Sequence, residues 1–162
     1  KYRQVSKKLA LPDFEVSEAQ PGWSRLSILT AGFAIVCLGG AVGWTALLSS
    51  LEFMPTEESG HGFVFNEPIY FFLLIVVAAP LIEEPLFRGF VCRTMLGFWT
   101  RKQAIVASAL VFAVAHPGPS FPPVFLLGLA CGYLYSVSRS LVPAIILHAL
   151  YNFGIFLLWM PD

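Results

Sequence analysis

Four stretches of this chain contain no charged residue: 26–51, 68–82, 103–138 and 140–161. A helix that crosses a bilayer needs about 20 largely apolar residues, and it satisfies its own backbone polar groups where no water can. The third stretch is interrupted by HPGPSFPP at 116–123, whose prolines and glycine cannot continue a helix. It therefore divides in two. Five segments are expected, at about 26–51, 68–92, 102–116, 122–138 and 141–160.

Composition agrees with that reading. Hydrophobic residues make up 57% of the 162 and charged residues 12%, with a mean hydropathy of +0.73, whereas soluble domains run at roughly 45–50% apolar and about 25% charged. The expected fold is an all-α, polytopic transmembrane bundle. The first apolar stretch is too long for the roughly 7–15-residue apolar region of a cleaved signal and is read as a retained span. Beginning at Lys1 rather than Met, the chain reads as a segment of a longer one.

Charge is sorted by side of the membrane. Lys1, Arg3, Lys7, Lys8 and Arg25 precede the first segment, Arg93, Arg101 and Lys102 follow the second, and Arg139 separates the fourth from the fifth. The alternate connections at 52–67, 117–121 and 161–162 hold no Lys or Arg. Cytoplasmic flanks carry the excess of these residues, so the expectation is an integral, multi-pass protein with residues 1–25 as a cytoplasmic tail. The acidic loop with Glu52, Glu57, Glu58, His61 and Glu67 then faces outward. A net charge of zero, partitioned in this way, implies no nucleic-acid partner. Cys37, Cys92 and Cys131 lie in or beside separate apolar segments without CxxC spacing and read as packing residues.

Against this apolar background the internal polar groups stand out. Ionisable side chains at membrane depth cost about 2.5–3.5 kcal/mol each on insertion scales, which makes them functional candidates. Three pairs share a four-residue spacing, Glu84 with Arg88, Phe112 with His116 and His148 with Asn152, and on a helix each pair shares a face. Arg88 can neutralise Glu84. Glu83 points about 100° away with no local partner, which leaves it free to act as a base. Pro80 and Pro85 remove helix donors and open the carbonyls of Val76 and Leu81. Taken singly, each group also has a structural account: an ion pair between helices, a helix-end cap at His116, or interhelical hydrogen bonding at His148 and Asn152. Together, two carboxylates, an arginine, two imidazoles and an amide on three segments form an inventory for hydrolysis by an activated water.

The ordered motifs EEPLFRG at 83–89, FAVAH at 112–116 and HALYN at 148–152 resemble those of the CAAX protease and bacteriocin-processing family. The likeness covers about residues 68–160 and leaves 26–51 as an additional helix. It implies an intramembrane endopeptidase with a four-helix catalytic core, similar to the enzymes that remove the last three residues of prenylated CAAX proteins. By motif position it implies Glu83 as the base that activates water, Glu84 paired with Arg88, His116 holding the water, and His148 with Asn152 at the oxyanion. The partners it implies are membrane lipid and a hydrophobic or lipidated peptide, and the location is a bacterial inner membrane. Family members are described both as metalloproteases and as glutamic proteases. A metal would take His116 and His148, but a zinc site wants three protein ligands, and spending Glu83 on one would leave no clear base. Metal-free catalysis is therefore favoured. A non-catalytic scaffold or bacteriocin-immunity protein, and an ion carrier, are the alternatives. HExxH, GxSxG and GxGD motifs are all missing from the sequence.

Depth raises one difficulty. At about 1.5 Å per residue, His148 lies roughly 10 Å inside its segment, whereas His116 lies about 20 Å along its own from Lys102.

Overall fold

The computed structural model describes residues 21–51, 68–116 and 118–159. The tail through residue 20, the acidic loop 52–67, Pro117 and the last three residues lie outside it. The described residues form five helices, here numbered α1 (Trp23–Ser50), α2 (Pro68–Leu96), α3 (Arg101–Val114), α4 (Phe121–Ser138) and α5 (Val142–Trp159). They fall on the five expected segments, and no strand occurs among the described residues.

Three helical runs are long and apolar enough to cross a membrane: α1, α2, and α4 with its leading turn from Gly118. The segment expected at 102–116 proves shorter than a span. Its helix has 14 residues, about 21 Å of rise against a hydrocarbon core of about 30 Å. The capping box of Thr100 and Gln103 fixes its start, and the chain beyond His116 cannot prolong it because of its prolines. In α5 the apolar run is Val142–Leu158, also short of the usual length.

In α1 the buried residues are Leu26, Thr30, Ala34, Cys37 and Ala41, a stripe at three- and four-residue steps. Large apolar residues such as Ile28, Ile35, Val36 and Leu47 face outward. The hydroxyls of Ser27, Thr30, Thr45, Ser49 and Ser50 donate to carbonyls three or four residues back, which leaves no bare donor on an apolar surface.

α4 packs against α1, α3 and α5, while α2 packs against α3 and α5. The α3–α4 seam depends on glycine. A Cβ on Gly128 would stand 3.0 Å from the Cβ of Ala109 and 3.1 Å from its Cα, and one on Gly132 would meet Ile105 at 3.2 Å. The pair Gly39 and Gly43 has the same spacing, yet an added Cβ at either meets nothing within 4 Å. GxxxG spacing lets helix backbones approach closely, but at Gly39 and Gly43 none does. The tight contacts of α1 lie instead at Gly40 against Leu126 and at Leu38 against Gly154. α4 ends at Arg139, whose φ of 54° is the left-handed turn that reverses the chain into α5. Phe112, Leu127, Leu134, Ala144 and Leu147 fill the core. Cys37, Cys92 and Cys131 are all buried free thiols, in keeping with a packing role.

Candidate active site

The acidic motif lies on α2, which is not a regular α-helix. Leu73–Ala78 and Pro85–Cys92 are π-helical, flanking a short α segment at Ala79–Glu84. π segments inside helices recur at functional sites. In the first of them the N–H of Ala79 reaches back five residues to the carbonyl of Leu74. The next donor in that register would be residue 80, which is proline and has none. In this register the Ile75 carbonyl also loses its helix donor to Pro80, beside the Val76 carbonyl that α-helical counting singles out. Asn152 Nδ2 donates to the Ile75 oxygen at 2.7 Å.

Glu84 and Arg88 form the expected pair, Oε1 to Nη1 at 3.0 Å, and both are fully buried. Nη2 of Arg88 also donates to the Gly128 carbonyl at 3.2 Å, and its Cζ lies 4.4 Å from the centre of the Phe112 ring. Glu84 has a second partner that local spacing could not reveal: Nδ1 of His148 donates to the same Oε1 at 2.9 Å. A carboxylate only accepts, so Nδ1 carries the proton, and in the neutral ring Nε2 presents its lone pair. His116 is fixed in the same sense. Its Nδ1 donates to the Phe112 carbonyl at 2.8 Å, and its ring lies 4.7 Å from that of Phe112, the support expected from their spacing.

Both free Nε2 atoms approach one oxygen. Glu83 Oε2 lies 3.9 Å from Nε2 of His148 and 4.0 Å from Nε2 of His116. It is buried without a protein hydrogen-bond partner, although the Glu83 side chain is 28% exposed overall. These separations exceed direct hydrogen-bond lengths and match a gap closed by one bridging water. Glu83 Oε2 and the two Nε2 atoms face one small space that a water, with two protons to donate and lone pairs to accept with, can bridge.

The donor set would also suit zinc in kind. Bonds of about 2.0–2.1 Å hold neighbouring zinc ligands roughly 3.3 Å apart, closer than the 3.9 and 4.0 Å found here. Among the described residues no three His, Cys, Asp or Glu form a metal-binding group. The separations are wider than those of adjacent ligands in a tetrahedral zinc site, and no step below runs through a metal.

Five of the six candidate residues therefore meet: Glu83, Glu84, Arg88, His116 and His148. Asn152 contacts Ile75 instead of these five. The depth difficulty does not keep His116 and His148 apart, since both reach Glu83. Two further contacts were not legible in advance. Phe112 is shared by four neighbours, namely Arg88, His116, His148 at 5.6 Å and Phe87 at 4.9 Å between ring centres. Trp44 Nε1, on α1, donates to the Pro119 carbonyl at 2.6 Å, just beyond His116.

The sequence profile of the family described as type II CAAX prenyl endopeptidase Rce1-like matches residues 65–154. That stretch is more than half of the chain and carries all six candidate residues. No curated protein and no solved structure matches the chain.

Proposed function

We propose, from the premise that the chain belongs to the type II CAAX prenyl endopeptidase Rce1-like family, that it hydrolyses peptide bonds in hydrophobic or lipidated substrates with a water activated by Glu83. The observation that carries this reading is the convergence of two imidazole Nε2 atoms on the unpartnered Glu83 Oε2.

In this scheme His148 is the imidazolium, and one water donates to Glu83 Oε2 and His116 Nε2 while accepting from His148 Nε2. Its oxygen attacks the scissile carbonyl while its proton passes to Glu83 Oε2. The new C–O bond leaves a tetrahedral oxyanion. His148 in its protonated form donates from Nε2 to that oxyanion, with the Glu84 carboxylate at Nδ1 stabilising the imidazolium. As the C–N bond breaks, Glu83 returns the proton to the departing amine, giving an acid and an amine. Arg88 pairs with Glu84 and fixes it in place. The Phe112 carbonyl holds His116 in the tautomer that accepts from water.

Segregation of Lys and Arg supports a cytoplasmic N-terminus, with substrate entering from the cytoplasm or inner leaflet; a bacterial inner membrane is the proposed location. The apolar outer faces suit lipid, and no nucleic-acid partner or cofactor is required.

The test is cleavage of quenched farnesylated and unmodified hydrophobic peptides by detergent-purified protein, with Glu83→Gln and His148→Ala variants, each with and without chelator. Loss in both variants by about 10²–10⁴-fold, with wild-type cleavage surviving the chelator, is the expected result. Zinc-reversible chelator inhibition would overturn the metal-free scheme. Full cellular function in Glu83→Gln would restore the scaffold reading.

A further inference from the structure

We infer that Asn152 is a positioning residue: by donating to the Ile75 carbonyl it holds the π turn of α2 and so sets the direction in which Glu83 points. This rests on the reading of Glu83 as the base, and it gives Asn152 a task other than the oxyanion contact implied by the motif resemblance.

The argument begins with the register. Ala79 bonds to Leu74 across five residues, and continuing that pattern requires an N–H at position 80. Pro80 is buried and has none. The Ile75 carbonyl consequently lacks an intrahelical donor in an apolar stretch, where an unmet carbonyl is costly. An α-helical register would make a different set of bonds, and a donor from outside the helix favours the π form. Asn152 supplies it at 2.7 Å. The contact is bracketed by rings of the α2–α5 seam, with Phe72 edge-on to both Phe153 and Phe156 at 6.2 and 5.4 Å between centres.

Glu83 lies eight residues, about 12 Å, further along the same helix. A π turn contains one residue more than the α-helix it replaces. Losing it would rotate everything downstream by about 100°. Ile82, now facing outward, would swing toward the direction Glu83 holds, and Glu83 toward that of Glu84. Glu83 would then turn toward Arg88 and the core, and Glu84 would leave both Arg88 and His148. Asn152 stands one turn after His148 on α5, so one helix both presents the imidazole and fixes the phase of the carboxylate opposite it.

The pair Pro80 and Asn152 offers a direct test. Alanine at position 80 restores an N–H five residues beyond Ile75, doing from within the helix what Asn152 does from outside. Detergent-purified wild type, Glu83→Gln, Pro80→Ala, Asn152→Ala and the double variant Pro80→Ala with Asn152→Ala are compared for peptide cleavage, with size-exclusion profiles to establish folding. Asn152→Ala is expected to lose about 10²-fold in kcat, the scale of a 1 Å misplacement, while Pro80→Ala stays active and the double variant regains most of the loss. An amide that contacts the oxyanion itself would not be replaced by a backbone N–H some distance away. A double variant as poor as Asn152→Ala overturns the inference, as does an inactive Pro80→Ala or a fully active Asn152→Ala. Wild-type cleavage by Glu83→Gln would instead bring down the base reading, and this inference with it.

Discussion

Replacing Glu84 by leucine separates what holds the bundle together from what makes it reactive. The carboxylate is fully buried and receives both Arg88 at 3.0 Å and His148 at 2.9 Å. Without it, Arg88 remains as a buried cation held only by the Gly128 carbonyl and the Phe112 face. Removing one partner of a buried ion pair costs about 3–5 kcal/mol. For a chain of this size each kcal/mol moves the melting point by about 2–4 °C, so Glu84→Leu should melt roughly 6–20 °C below wild type. The buried free thiols of Cys37, Cys92 and Cys131 make a built-in reporter, since a thiol-reactive dye labels them as the bundle opens. Removing Arg88 as well, in Glu84→Leu with Arg88→Leu, eliminates the stranded charge. That double variant should recover much of the lost stability, less about 1–3 kcal/mol for the His148 Nδ1–H left without an acceptor. Peptide cleavage should not recover with it, because nothing then fixes the His148 tautomer. A single variant melting within 2 °C of wild type would refute the buried-pair argument. A double variant that cleaves normally would refute the orienting role of Glu84.

Three other outcomes follow from the packing and the loop beyond α3. Gly128→Val should destabilise by about 1–3 kcal/mol, as overpacking does, and lower activity by shifting the carbonyl that receives Arg88; thermal melts and cleavage rates check both. Gly39→Ala and Gly43→Ala, with open space around each added Cβ, should melt at or slightly above wild type, since alanine favours the helix by up to about 1 kcal/mol. Trp44→Phe removes the bond to Pro119 and should cost about 1 kcal/mol, with cleavage falling more than stability because the loop follows His116 directly. Equal cleavage by Trp44→Phe and wild type would separate α1 from the site.

Much of the architecture was legible because membrane helices leave long charge-free intervals. Each of the five helices is built around such an interval, α2 running past its own to carry Glu83, Glu84 and Arg88, and Glu84 with Arg88 and Phe112 with His116 meet as their spacing implied. What escaped depends on partners distant in sequence. The π register reflects Pro80 acting together with a donor 77 residues away, and α-helical counting, which looks four residues ahead, did not single out Ile75. The bond between His148 and Glu84 spans 64 residues and has no local signature. Gly39 and Gly43 carry the same spacing as Gly128 and Gly132, but spacing does not say which helix face has a neighbour. At α3 the expected 102–116 and the observed Arg101–Val114 nearly coincide, but reading that stretch as a full span overlooked that 14 residues fall short of the hydrocarbon thickness.

Phe112 has a consequence for how the molecule matures. Its ring touches groups contributed by α2, α3 and α5, so those helices must dock around it before an imidazole can face Glu83. A newly inserted chain with its helices still apart contains every reactive group and no means of using them. In the proposed scheme, competence for hydrolysis thus waits on the docking of α2, α3 and α5, and a chain arrested before it cannot cleave the membrane proteins beside it.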